Sequence, residues 1–275
     1  MLLVQRMNME NNILIPFLLT LFAGLATGIG SLIAFLASHT NKRFLSFSLG
    51  LSAGVMIYVS FVELLNQAQE TLIAELGMRQ GMSTAVLFFF FGIFLIGIID
   101  RLVPSFENPH EIRSVESMNE PPSHKSKLMR MGVMTALAIG IHNFPEGIAT
   151  FTAAVQSPTL GIAIAVAIAI HNIPEGIAVS VPIYHATGSK KKALYLSLLS
   201  GVAEPIGALL AYLVLMPFMS PILLGCVFAS VAGIMVFISM DELLPAAREY
   251  GEHHISIYGL VTGMAIMAIS LILLA

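Results

Sequence analysis

The sequence predicts an all-α integral membrane protein whose eight transmembrane helices form an inverted repeat, helices 1–3 and 6–8 around a central pair 4–5. Three observations predict it. Of 275 residues, 57% are hydrophobic and only 11% charged, against roughly 25% charged in an ordinary soluble domain. The apolar residues fall into runs long enough to cross a hydrocarbon core about 30 Å thick, which takes about 20 helical residues. Segments from the two halves of the chain also match in sequence, while the placement of Lys and Arg sends them across the bilayer in opposite directions.

In chain order the runs cover 12–38, 46–68, 84–104, 129–155, 159–184, 191–216, 221–247 and 254–275. The first is too long and too continuously apolar for a cleaved signal peptide, so residue 1 reads as the start of the mature chain. Small-residue spacings, Gly24/Gly28 in the first run and Gly50/Gly54 in the second, suit close helix packing. The third run carries Phe88 to Phe91, read as lipid-facing or packed bulk, and ends on the interfacial pair Asp100 and Arg101. The segment from Ser105 to Ser126 holds three prolines and mixed charge. It reads as cytoplasmic and disordered. The domain reading is therefore one transmembrane domain over 1–275, interrupted by a loop at 105–128. His110 and His124 in that loop read as solvated, and His253 and His254, in the last cytoplasmic loop, are weak candidates for a cation pathway.

The fourth and fifth runs are joined by the tight turn "QSPT", so they pack side by side and antiparallel. The single Cys226 lies in the seventh run and excludes an internal disulfide. Counting alternate loops, Lys42, Arg43, Arg101, Arg113, Lys125, Lys127, Arg130, Lys190 to Lys192 and Arg248 share one side, and only Arg6 and Arg79 take the other. Such an excess marks the cytoplasmic face. It predicts a multi-pass protein of the cell membrane with both termini extracytoplasmic. A lipid bilayer is the expected environment, and no nucleic-acid partner is expected.

The repeats are specific. "AGLATGIGSLIAFL", Ala23 to Leu36, aligns without gaps to "SGVAEPIGALLAYL", Ser200 to Leu213, with half the positions identical. "SFVELL", Ser60 to Leu65, matches "SMDELL", Ser239 to Leu244. "HNFPEG", His142 to Gly147, recurs as "HNIPEG", His171 to Gly176. All three pairs relate runs that cross the bilayer in opposite directions.

The duplicated motif sits at mid-membrane. An ionisable side chain there costs on the order of 3 kcal/mol, so Glu146, Glu175 and Glu204 need compensation. His142 and Glu146 are four apart, hence on one helix face, with Asn143 beside them, and His171, Asn172 and Glu175 repeat the arrangement. Two imidazoles, two amides and two carboxylates then converge between antiparallel neighbours. Pro145, Pro174 and Pro205 each lack an N–H and so free the carbonyls of Ile141, Ile170 and Gly201, which predicts three bent helices around one location. Imidazole nitrogen and carboxylate oxygen without cysteine suit a divalent first-row cation held reversibly. Glu63 near the outer end of the second run, and Asp241 and Glu242 near the cytoplasmic end of the seventh, are possible pathway carboxylates at opposite mouths.

"HNFPEG" and "HNIPEG" in adjacent spans of an eight-span chain resemble the ZIP family of divalent-metal transporters, its bacterial members in particular, over nearly the whole length. The resemblance implies uptake of zinc, with iron, manganese, cobalt and cadmium as further substrates, by a homodimer with a binuclear site between the fourth and fifth spans. It implies one site of His142, Glu146 and Glu175, and a second of Asn143, Asn172 and Glu204 with shared carboxylates. His171 completes the candidate set. Asn172 stands where some family members carry an acidic residue, which leaves the second site less negative. Divalent cations are expected as cargo, with no catalytic cofactor.

Three functions compete: a carrier working by alternating access, an intramembrane zinc-dependent hydrolase, and a metal-selective channel. The hydrolase would need a dedicated general base beside an open coordination position, and no HExxH pattern occurs. A channel shares the ligands and differs in kinetics. The carrier is the preferred reading; the resemblance implies that the central pair with its neighbours moves against a scaffold built from spans two and seven, a motion the repeat permits.

Overall fold

The computed structural model describes residues 13–36, 42–102, 123–250 and 253–274, and among them every element is helical. Helix α1 is Leu14–Leu36, and α2 joins Lys42–Tyr58 to Leu65–Leu76 through a π-helical segment, Val59–Leu64. Helices α3 (Met78–Leu102), α4 (Ser123–Gln156) and α5 (Pro158–Thr187) follow. Helix α6 comprises Lys190–Gly201 and Ala203–Leu210, then a π-helical Ala211–Leu215 and a 3-10 turn, Met216–Phe218. Helix α7 comprises Pro221–Ile238, a π-helical Ser239–Leu243 and Leu244–Tyr250, and α8 is His253–Leu274. Seven of these, all but α4, are long and apolar enough to cross a membrane.

Local chemistry sets the turns. Gly77 ends α2 with φ of 80°, and Gly188 ends α5 with φ of 65°, values that glycine adopts without a Cβ penalty. Ser157, Ser189 and Ser220 cap α5, α6 and α7 by accepting from the backbone N–H three residues on, and a proline follows two of them at the first helical position. The loop expected over 105–128 falls largely outside the described residues. Its last part does not, for α4 already begins at Ser123, and that boundary is corrected.

Two groups of helices emerge from the packing. Helices α1, α4, α5 and α6 contact one another extensively, while in a second group α2 packs against α3, α7 and α8, and α3 against α7. The groups meet where α5 lies on α2 and α8, and where α4 lies on α7. Helix α5 is the most enclosed span and α3 and α8 the least. The Phe88 to Phe91 run divides accordingly: Phe89 packs beside Phe61, and Phe90 and Phe91 face outward as lipid-facing residues do. An apolar cleft of about 900 Å³ separates α4 and α6 from α3 and α7, lined by Phe88, Ile96, Phe144, Leu199 and Val227 among others.

Glycines bring backbones into contact. A Cβ on Gly30 would meet the carbonyl oxygen of Ile173, and one on Gly207 that of Phe144. Gly176 abuts the carbonyl of Thr27 in the same way, Gly147 that of Glu204, and Gly24 and Gly201 abut each other. Close packing of this kind is how helices associate where lipid removes the hydrophobic driving force. A Cβ on Gly147 would stand 2.7 Å from Glu204 Cα. Gly147→Val is therefore expected to force α4 from α6 and lower the thermal midpoint in detergent, at about 1–3 kcal/mol. Gly140→Ala, whose added methyl has its nearest neighbour at 3.9 Å, is expected to leave it unchanged or raised, since alanine favours helix by about 1 kcal/mol. Equal midpoints for the two variants would refute this account of the packing.

The α-helix continues across Pro145 in α4 and across Pro174 in α5. The interruption falls in α6, at Val202, three residues before Pro205. A missing N–H removes one bond, so helical hydrogen bonding resumes on either side of the proline.

Candidate metal centre

The three middle helices deliver the expected set to one place. His142, Asn143 and Glu146 from α4, His171, Asn172 and Glu175 from α5, and Glu204 from α6 are all at most 3% exposed. His171 Nε2 lies 3.2 Å from Glu146 Oε2, which ties α5 to α4. The Asn172 amide donates to the Glu204 carboxylate and, at 2.9 Å, to the carbonyl oxygen of Ala23 in α1. The Asn143 amide donates to the carbonyl oxygen of Ser200 in α6 at 3.4 Å. Glu175 stands within electrostatic reach of both histidines, of Glu146 and of Glu242, and Glu204 within reach of Glu146 and Glu175.

Serine hydroxyls fasten α5 to its neighbours. Ser52 of α2 donates to the carbonyl of His171 at 3.4 Å, while Ser31 of α1 and Ser197 of α6 donate to that of Gly176 at 3.5 and 3.4 Å. In the state described these bonds set the rotation of the motif helix, so its polar face is turned inward.

Glu242 was expected at a cytoplasmic mouth, and this is corrected. It is 5% exposed, and its Oε1 lies 2.9 Å from His142 Nε2, inside the polar cluster. Counting residues from the start of α7 puts Glu242 far along a helix that outlasts a 30 Å core. Only packing decides which of its turns reaches the depth of His142. The π-helical segment Ser239–Leu243 also re-aims side chains there, burying Glu242 and leaving the adjacent Asp241 exposed. The match of "SMDELL" to "SFVELL" was a signal that this glutamate had a role, though not where. Glu63 is half-buried, with Glu70 as its electrostatic neighbour, and among the described residues it makes no hydrogen bond or ion pair.

The cluster is rich in acceptors and poor in donors. Asn143 Oδ1, Glu146 Oε1, Asn172 Oδ1, Glu175 Oε2 and Glu204 Oε2 are buried and have no hydrogen-bond partner among the described residues. Each such atom costs about 1–3 kcal/mol when left bare. Together they rival the whole stability of an ordinary domain, and a positive ligand is one partner that would satisfy them. Among the described residues no three His, Cys, Asp or Glu side chains already enclose a single point as a bound ion would require. The imidazoles are turned to carboxylates instead, His142 to Glu242 and His171 to Glu146. Small rotations of these pairs would present nitrogen and oxygen donors to a divalent cation, the hard and borderline donor set such ions prefer.

Residues 103–271 match the family model described as ZIP zinc transporter. A protein of Oceanobacillus iheyensis described as zinc transporter ZupT is 63% identical over 267 residues, covering 96% of this chain and all of that protein. Proteins of the same description from Streptococcus mutans and Lysinibacillus sphaericus are each 61% identical, over 96% and 97% of this chain and 99% and 100% of theirs. With the buried His, Asn and Glu set on paired helices, these similarities show that the chain belongs to the ZIP zinc transporter family.

Proposed function

We propose that this protein imports zinc across the cell membrane into the cytoplasm, with the His, Asn and Glu cluster as its mid-membrane binding site. The observation that carries the reading is the set of buried acceptor oxygens without donors at the meeting of α4, α5 and α6. Iron, manganese, cobalt and cadmium share the donor preference and are expected as further substrates. Membership in a family of transporters sets the intramembrane hydrolase aside. Two ions bind, one to His142, Glu146 and Glu175 with His171 adjacent, the other to Asn143, Asn172 and Glu204. The protein is a homodimer, both of its termini are extracytoplasmic, and the segment between α3 and the start of α4 at Ser123 forms a cytoplasmic loop in the single domain 1–275.

Transport proceeds by alternating access between two halves of an inverted repeat. The support is a set of exchanged contacts. Aligning Ala23 with Ser200 and Asn143 with Asn172 turns the bond from Asn172 to Ala23 into the bond from Asn143 to Ser200. The same exchange carries Gly30 on Ile173 into Gly207 on Phe144, and Gly176 on Thr27 into Gly147 on Glu204. The matched segments of α2 and α7 are both π-helical. Helices α1, α4, α5 and α6 form the moving body and α2, α3, α7 and α8 the scaffold, consistent with the apolar cleft between them.

Purified protein in liposomes is expected to accumulate radioactive zinc with saturable kinetics, and unlabelled iron, manganese, cobalt and cadmium to compete. Uptake no greater than in empty liposomes would refute the proposal. Flux that stays linear in zinc would make the protein a channel.

A further inference from the structure

The exchanged contacts fail at one place, and that place is informative. Aligning "SFVELL" with "SMDELL" makes Glu63 the counterpart of Glu242, and the duplicated motif makes His171 the counterpart of His142. His142 is paired with Glu242 at 2.9 Å. The exchanged contact would pair His171 with Glu63. His171 instead pairs with Glu146 at 3.2 Å, and Glu63 stands half-buried without an ionic partner among the described residues. Both glutamates lie in π-helical segments of matching sequence, α2 packs on α5, and α7 packs on α4. The elements for the second pair are thus present on both sides.

We propose that Glu63 is the alternate partner of His171, engaged in the state of the transport cycle opposite to the one described here. This deepens the transporter reading and rests on it. In a transporter built of inverted repeats, one half in one state takes the arrangement that the other half has in the opposite state. Exchange of the contacts then gives His171 with Glu63, and His142 with Glu175, already its electrostatic neighbour. Each histidine passes between a carboxylate of the moving body and one of the scaffold. His142 is held by the scaffold carboxylate Glu242 in this state, and His171 by Glu63 in the other. Breaking one scaffold pair while forming the other keeps the two states close in energy, a condition for turnover.

The test uses the full-length protein in liposomes. Glu63→Gln is expected to lower the maximal zinc uptake rate at least 10-fold with half-saturation within about 3-fold of wild type, and Glu63→Asp to restore part of the rate. Glu70→Gln, an exposed carboxylate one helix stretch away, is expected to leave both unchanged. In a Cys226→Ser background, Glu63→Cys with His171→Cys is expected to cross-link under mild oxidation, as is His142→Cys with Glu242→Cys. Glu63 serving only to attract cations at an entrance would raise the half-saturation and spare the maximal rate, and that result overturns the inference. So does the absence of the first cross-link when the second forms. No zinc uptake by the wild type would instead sink the transporter reading itself.

Discussion

Replacing Glu146 by glutamine is expected to lower zinc uptake by a factor on the order of 100 or more in a protein that still folds. The amide keeps the volume of the carboxylate, so packing is preserved and the change is one of charge. Glu146 holds His171 at 3.2 Å through one oxygen, and its other oxygen is buried without a donor among the described residues. Both histidines, Glu175 and Glu204 are its electrostatic neighbours. It is the residue through which the two halves of the site connect. Removing one member of a buried charged set costs about 3–5 kcal/mol, and each 1.4 kcal/mol is tenfold in affinity. Initial rates of radioactive zinc uptake, beside size-exclusion profiles, measure it. Glu75→Gln, on the exposed side of α2, serves as the control. A Glu146→Gln protein transporting within about 3-fold of wild type would remove this carboxylate from the mechanism.

Asn172→Asp is expected to act in opposite directions without and with zinc. The Asn172 amide donates to Glu204 and to the carbonyl of Ala23, and aspartate donates to neither. Two carboxylates would then face one another in a buried place, with Glu146 and Glu175 nearby. Losing a hydrogen bond to a charged group costs about 1.5–3 kcal/mol before any repulsion is added. At roughly 2–4 °C per kcal/mol for a chain of this size class, the zinc-free thermal midpoint should fall by roughly 5–10 °C. A zinc ion held there would bind the more negative site more strongly. Ligand stabilisation grows with the ratio of its concentration to its dissociation constant, reaching about 2.7 kcal/mol at a 100-fold excess. The rise in midpoint on adding zinc should therefore exceed that of the wild type. Midpoints measured in chelator and in excess zinc decide the matter. A zinc-induced rise no larger than the wild type's would mean that Asn143, Asn172 and Glu204 bind no second ion.

Much of the architecture was legible because a bilayer is an unforgiving solvent. Apolar runs of the right length, separated by Ser-Pro and Gly turn signals, could form little but spanning helices, and their boundaries agree with the helices to within a few residues in most cases. The exceptions have a common cause. Helix α2 runs on to Leu76 because Leu72 finds burial beyond the apolar run, and nothing in hydropathy reports a neighbour. The three π-helical segments left no mark in composition, since one extra residue in a turn is a response to packing rather than a propensity.

The site divides along the same line. Spacing alone put His142 with Glu146 and His171 with Glu175 on shared helix faces, and the duplicated motif joined the two faces, because helical period and a tight turn allow no other arrangement. Glu204 joined them through an alignment and a proline. The position of Glu242 against His142 was not available in this way, nor was the half-buried isolation of Glu63 in the same turn of the matching helix. The chain by itself determined which side chains must leave the lipid and which helix faces carry them, since those follow from local geometry and the cost of bare charge. Tertiary structure alone decided the pairing, turning His142 to α7 and His171 to α4, because which carboxylate meets which imidazole depends on how two packed bodies stand against each other.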